Sequence, residues 1–300
     1  MKKLLLVLLC GFCASVVHGQ NMRANKKRKN VSYVTKDKKS REEMKFLEKQ
    51  WWLGLKAGTN LTRAVVTKSF SALSPTNYDV AETGKEYEDF KSFGAQVTLE
   101  ATFYFKQFSL SLQPTYRQSK FIYTNHYEWR DPENAGHSLN LNYSQEQQTG
   151  HVIIPLLAKY DFTVTKLRPY LQAGAFAAFL TGADKSVTIS GTDYASGGEN
   201  EFTGDPIVVG ASDLFAKYYY GLAGGVGVNY HQGNVRLNLD ILYQYGMTNI
   251  VSPSDRYGNE RLSGVGDVMD DMTMDNIVLS VGCIFPLRFL GNAYKSLDKK

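Results

Sequence analysis

Three groups of residues put chemistry-bearing types close together. The first is acidic: Asp267, Asp270 and Asp271 sit in one polar stretch, and His126 and His137 in another. Acids and imidazoles at one rim would suit hydrolysis of a lipid or peptide. Neither stretch sets out a nucleophile, a base and an orienting group at a working spacing. Solvated loop acids are the simpler reading, so no catalytic residue is assigned and the chain is not expected to be an enzyme. Asp267 to Asp275 also lacks the regular ligand spacing of a calcium loop, so no metal is expected. The second group is Gly221, Gly224, Gly225 and Gly227. These lie inside an alternating strand pattern, where glycine permits bends and close packing, and they do not form a phosphate loop. No cofactor is expected, and no basic–aromatic pattern points to nucleic acid. The third group is a set of charges that share the polar faces of strands: Lys56, Glu100, Arg117, Lys159, Arg168, Lys217, Arg236 and Asp240, among Gln96, Tyr104, Gln113, Gln172 and Asn238.

Alternation is what gathers this third group. From Phe93, every second residue is apolar or small: Ala95, Val97, Leu99, Ala101, Phe103 and Phe105. After Lys106 and Gln107 the pattern resumes with Phe108, Leu110, Leu112, Pro114 and Tyr116. A strict period of two predicts strands with one apolar and one polar face. The design recurs in Trp51–Thr62, Val152–Tyr160, Leu167–Phe179, Ala216–Tyr230, Val235–Tyr245 and Ile277–Phe285. The expected fold is all-β: an eight-stranded antiparallel up-and-down transmembrane β-barrel. Tight turns at 106–107, 162–166 and 231–234 alternate with long polar loops at about 63–90, 125–145, 185–214 and 248–273. Long loops then share one end, and tight turns and both termini the other, as in an outer-membrane barrel.

Three features predict that the apolar face points outward. The polar faces carry Gly, Ser, Thr, Gln, Asn and Tyr with scattered charges, unlike a water-washed surface. The apolar faces are free of charge through their middle, where a charge facing lipid costs about 2–4 kcal/mol. Aromatics gather at the strand ends, as at the two interfaces of a bilayer. The interface set is Trp51, Trp52, Phe105, Phe108, Tyr160, Tyr230 and Phe285 at the short-turn end, with Tyr218 and Tyr243 at the other. A soluble barrel or a sandwich is the alternative with the same period. In the outward-apolar arrangement Lys56, Glu100, Arg117, Arg168, Arg236 and Asp240 form a lumen charge network. Eight strands leave a lumen just wide enough for side chains, and buried charges there must be paired.

The termini read differently. Residues 1–19 carry Lys2 and Lys3, an apolar run from Leu4 to Val17 and small residues before Gln20, the pattern of a cleaved export signal. Residues 20–50 form a basic extension with a candidate short helix over Arg41–Gln50, and residues 288–300 a tail. Both are expected in the periplasm, with the barrel at 51–287. Cys10 and Cys13 fall in the signal, leaving Cys283 without an intramolecular disulfide partner. The formal net charge of +5 arises largely near the N-terminus and says little about the folded body.

Several stretches together resemble the PorT-like outer-membrane β-barrel family of Bacteroidota. They are Gly54-Leu55-Lys56-Ala57-Gly58-Thr59-Asn60-Leu61, Ile154-Pro155-Leu156-Leu157-Ala158-Lys159-Tyr160, Arg168-Pro169-Tyr170 with Gly174, Tyr243 to Gly246 with Asn249, and Gly282 to Phe285. The resemblance spans about residues 51–287. It implies an eight-stranded barrel in the cell outer membrane of a Gram-negative bacterium. One namesake member serves in type IX secretion. The expected function is a non-enzymatic structural or accessory barrel, with outer-membrane lipid around it and protein partners at the extracellular loops or the periplasmic extension. A narrow solute or ion conduit is the alternative, and a rim lipid or peptide hydrolase a further one.

Overall fold

The computed structural model describes residues 49–70, 84–134, 136–196, 198–232, 235–257 and 268–287. The expected signal, the basic extension up to residue 48, the tail from residue 288 and Asp267 lie outside the described residues. Eight membrane strands form the frame. They are β1 (Lys49–Lys68), β3 (Phe93–Phe105), the pair β4 (Phe108–Leu112) and β5 (Thr115–Arg130), β6 (Ser138–Asp161), β7 (Leu167–Asp193), β10 (Tyr218–Gln232), β11 (Val235–Gly246) and β12 (Asp271–Pro286). β4 and β5 act as one strand interrupted at Gln113 and Pro114, because proline brings no N–H to a ladder. The Pro114 carbonyl still accepts from the Leu99 N–H, and the Gln113 N–H donates to the Pro155 carbonyl. Each strand pairs antiparallel with its neighbours. β1 closes the ring, since Leu55 faces Leu99 of β3 on one side and Cys283 of β12 on the other.

Alternation decides which side chains face where. Along β3 and β4, Val97, Leu99, Phe103, Phe105, Phe108, Leu110 and Leu112 are exposed, while Gln96, Thr98, Glu100, Thr102, Ser109 and Ser111 are buried. An apolar belt therefore faces outward and a polar lining inward. On β1 the outward run Trp51 to Leu61 spans about 33 Å of strand at about 3.3 Å per residue, or about 25 Å along the axis at an outer-membrane tilt. That is the height of a bilayer's hydrocarbon band in such barrels. No helix among the described residues is long and apolar enough to cross a membrane, so the crossing rests on strands.

Several boundaries differ from the sequence reading. Lys49 and Gln50 already belong to β1, so the candidate helix does not reach Gln50. The expected loops at 125–145 and 185–214 are largely strand. β6 has 24 residues and β7 has 27, more than twice the about 9–11 that a membrane crossing needs. Beyond the belt β6 pairs with β5 and β7, β7 also pairs with β8 (Asn200–Thr203) and β9 (Ile207–Gly210), and β5 pairs with β2 (Lys85–Tyr87). These segments are mostly polar and lack a sustained apolar face, so backbone pairing marks them as strand.

The upper lumen is apolar, which the alternation did not foretell. Phe121, Ile153, Leu157, Phe176, Tyr219 and Leu242 point inward and meet Leu214, Phe215, Ile250, Val251, Met269, Met272 and Met274. The loop residues fold into the mouth and are tied there by backbone bonds. The Ala216 N–H donates to Ile250 O at 2.8 Å, Ile250 N–H to Met272 O at 2.9 Å and Ser252 N–H to Leu214 O at 2.9 Å. Lower down, a Cβ on Gly227 would lie 2.4 Å from the Tyr170 ring, so that strand position must lack a side chain. Lys106 opens the tight turn with φ of 60°, a left-handed conformation that glycine adopts most readily.

Candidate functional site

The chemistry-bearing residues converge in the lower half of the lumen. Lys56 on β1 lies 2.6 Å from Glu100 Oε2 on β3 and 2.7 Å from Asp240 Oδ2 on β11. Lys159 on β6 lies 2.7 Å from Glu100 Oε1. Two cations thus meet two carboxylates, and all four side chains are buried. Neutral donors complete the acids: Thr102 donates to Glu100 at 2.6 Å, Ser111 to Glu100 at 3.1 Å, and Tyr170 to Asp240 at 3.1 Å. Asn238 then donates to the Tyr170 oxygen at 2.7 Å and to Asn229 at 2.9 Å. Buried charges persist only when paired and hydrogen-bonded, and this quartet meets both conditions. It can hold strands on opposite sides of the barrel together.

The six residues expected in one network divide among four places. Lys56, Glu100 and Asp240 belong to the quartet, which Lys159 completes. Arg117 donates instead to Gln244 and, at 3.2 Å, to the Tyr219 hydroxyl, with no acid beside it among the described residues. Arg168 holds the short turn below, donating to Thr165 O at 3.0 Å, with Asp161 3.9 Å away. Arg236 lies between the rings of Trp52 and Tyr104, 3.8 Å and 4.0 Å from their centroids. Guanidinium stacking of this kind needs no carboxylate. Lys217, also expected inward, precedes β10 and lies outside every strand.

Of the expected interface aromatics, Trp51, Phe105, Phe108, Tyr230, Tyr218 and Tyr243 are exposed on the outer wall, and Tyr160 and Phe285 are half-buried. Trp52 corrects the expectation: it is fully buried inside the barrel. Neighbours on a strand point to opposite faces, so Trp51 and Trp52 cannot share the belt. Trp52, Tyr104 and Ile284 instead close the periplasmic end of the lumen. The residues missed by sequence reasoning are Tyr170, Thr102, Ser111 and Asn229. Parity carried a signal for each, since Tyr170 shares a face with Arg168, and Thr102 with Glu100.

The rim acids are engaged structurally. Asp270 accepts from the Phe70 N–H at 2.7 Å, the Tyr87 hydroxyl at 2.9 Å and Lys85 at 2.8 Å. Burial and the adjoining Asp270 charge push the Tyr87 phenol up. Asp271 accepts from Arg256 at 2.6 Å and Asn249 at 2.8 Å. His126 bonds Asn142 at 2.8 Å, and His137 lies 3.6 Å from Asp131. Among the described residues no group of three or more His, Cys, Asp or Glu side chains is disposed to hold a metal ion.

A closed ring of eight antiparallel strands with an outward apolar belt is the defining geometry. Residues 21–252, more than half of the chain, match the outer membrane protein β-barrel domain family. The chain belongs to that family. It is therefore a β-barrel protein of the cell outer membrane, with its tight turns in the periplasm and its long loops outside. Similar solved structures include Neisserial surface protein A, 16% identical over 78% of this chain and 96% of that one, with a TM-score of 0.30. OprG from Pseudomonas aeruginosa is 14% identical over 80% and 97%, with a TM-score of 0.35. The E. coli outer membrane protein W is 15% identical over 79% and 97%, with a TM-score of 0.31. No curated protein sequence matches the chain.

Proposed function

We propose that this barrel is a non-enzymatic structural or accessory protein: a closed anchor that presents extracellular β-structure to partners. The observation that carries this reading is the filled lumen. From the periplasm outward the axis is occupied by Arg236 between Trp52 and Tyr104, then the Lys56–Glu100–Lys159–Asp240 quartet, then the apolar core at the mouth. Above the belt, the paired extensions of β5 to β9 carry exposed apolar groups at Trp129, Phe202, Ile207 and Val208. Isolated exposed side chains need no explanation, but edge strands bearing them suit contact with another protein.

A conduit is disfavoured by the same filling. Planar-bilayer recording of the purified barrel is expected to show no conductance steps, and reproducible channels would reject the closed-anchor reading. The resemblance to PorT-like barrels supports a finer role, as an accessory to type IX secretion in a bacterium of the Bacteroidota. Deleting the gene is expected to reduce export of surface proteins, with restoration by the intact gene. Unchanged export would remove the secretion role and leave the anchor.

A further inference from the structure

A polar cleft of about 220 Å³ opens on the outer wall of the barrel, lined by Tyr116, Gln118, Gln148, Gly150, Thr181, Gly182 and Asp184. Its height is set by its neighbours. The next outward residues toward the periplasm are apolar, Val152 on β6 and Phe179 on β7, and both are exposed. The cleft therefore begins where the apolar belt ends, at the level of the outer leaflet's headgroups.

Two features indicate a seat for a ligand. The first is its construction. The β6–β7 register shifts between Gly150 and His151, since Gly150 faces Gly182 while His151 faces Leu180, and Thr181 is the extra residue. Such a bulge re-aims side chains and opens the wall, and bulges are common beside functional sites. A Cβ on Gly150 would meet Thr181 Oγ1 at 2.9 Å and Tyr116 Oη at 3.4 Å, so a side chain there would intrude on the cleft. The second feature is unspent hydrogen-bonding capacity. Charged groups elsewhere on the outer wall pair with one another, as in Lys120–Glu146 at 2.6 Å and Arg63–Asp275 at 2.8 Å. The side chains of Gln118, Gln148, Thr181 and Asp184 make no hydrogen bond with the described residues.

The lining selects the ligand class. Two amides and a hydroxyl offer donors and acceptors, a carboxylate accepts from two hydroxyls, and Tyr116 offers an aromatic face. No cationic side chain lines it, so a phosphate has nothing to pair with. The volume lies below the about 300–1,000 Å³ of a pocket for a drug-sized ligand, so one ring fits better than an extended molecule. We propose that the cleft seats one sugar ring of an outer-leaflet glycolipid headgroup.

Gly182 gives a clean test. A Cβ there meets nothing within 4 Å, so a side chain can start at this position, and Gly182→Leu would put its bulk into the cleft. The full-length barrel is reconstituted in nanodiscs holding phospholipid and a rough-type lipopolysaccharide, and native mass spectrometry counts the lipids retained after release. The wild type is expected to retain lipopolysaccharide over phospholipid, and Gly182→Leu to lower that preference about tenfold or more at an unchanged thermal midpoint. The Gln118→Ala/Asp184→Ala variant is expected to lower it equally. Equal retention by all three proteins overturns the proposal. So does retention of a soluble disaccharide, offered as competitor, that displaces the lipopolysaccharide, because the ligand would then be a free glycan.

Discussion

Glu100→Ala is expected to destabilise the barrel by about 3–5 kcal/mol, the cost of leaving buried charges without their partner. Glu100 is the only acid within ion-pair distance of Lys159 among the described residues, and it shares Lys56 with Asp240. Removing it leaves the buried Lys159 ammonium without an acid and Lys56 with Asp240 alone. Ser111 also loses its acceptor, and Thr102 one of the two oxygens it faces. The measurement is guanidinium unfolding of the refolded barrel in micelles, followed by tryptophan fluorescence. Glu100→Gln/Lys159→Met removes both charges together and is expected to recover most of the loss, since a neutral packed pair can equal a buried ion pair. A single-variant loss under about 1 kcal/mol would mean that the quartet is solvated and that water threads the lumen.

The second large effect tests which face meets lipid. Leu239 lies midway along β11, between Val228 and Val281, with its side chain exposed. Leu239→Arg is expected to cost about 2–4 kcal/mol when the barrel is folded in lipid vesicles. Ser144→Arg is the control: it is exposed on β6 beyond the belt, where an added charge meets water and is expected to cost about 0–1 kcal/mol. Equal, small costs at the two sites would sink the outward-apolar arrangement, because a solvated wall tolerates arginine at either height.

Much of this arrangement was legible before any coordinates. Phe93 to Phe105 alternates without a break, and one strand period can be satisfied only by putting Glu100 and Leu99 on opposite sides. The same parity predicted that Lys56, Glu100 and Asp240 point into one lumen. It did not reveal which of the charges touch. Arg117, Arg168 and Arg236 share that parity, yet strand register sets their heights, and register depends on pairings between segments far apart in sequence. Aromatic clustering alone would put Trp52 in the belt, whereas its parity against Trp51 turns it inward. The continuous apolar run Val152 to Leu157 carried an unused signal: apolar residues on both faces mean burial on both, and Ile153 and Leu157 lie inside the mouth.

The amino-acid sequence by itself determined that strands form, that they number eight, and which face of each is greasy. Those properties follow from a local period of two and from turn lengths, which need no partner strand to be read. Tertiary structure alone decided that the mouth is sealed by Leu214, Phe215 and Met269, that the polar loops near residues 130 and 190 continue as paired strands, and that a cleft opens at Gly150 and Gly182. Each of these depends on what a distant segment contributes, and polar backbone commits to a ladder only when its hydrogen-bonding partner arrives.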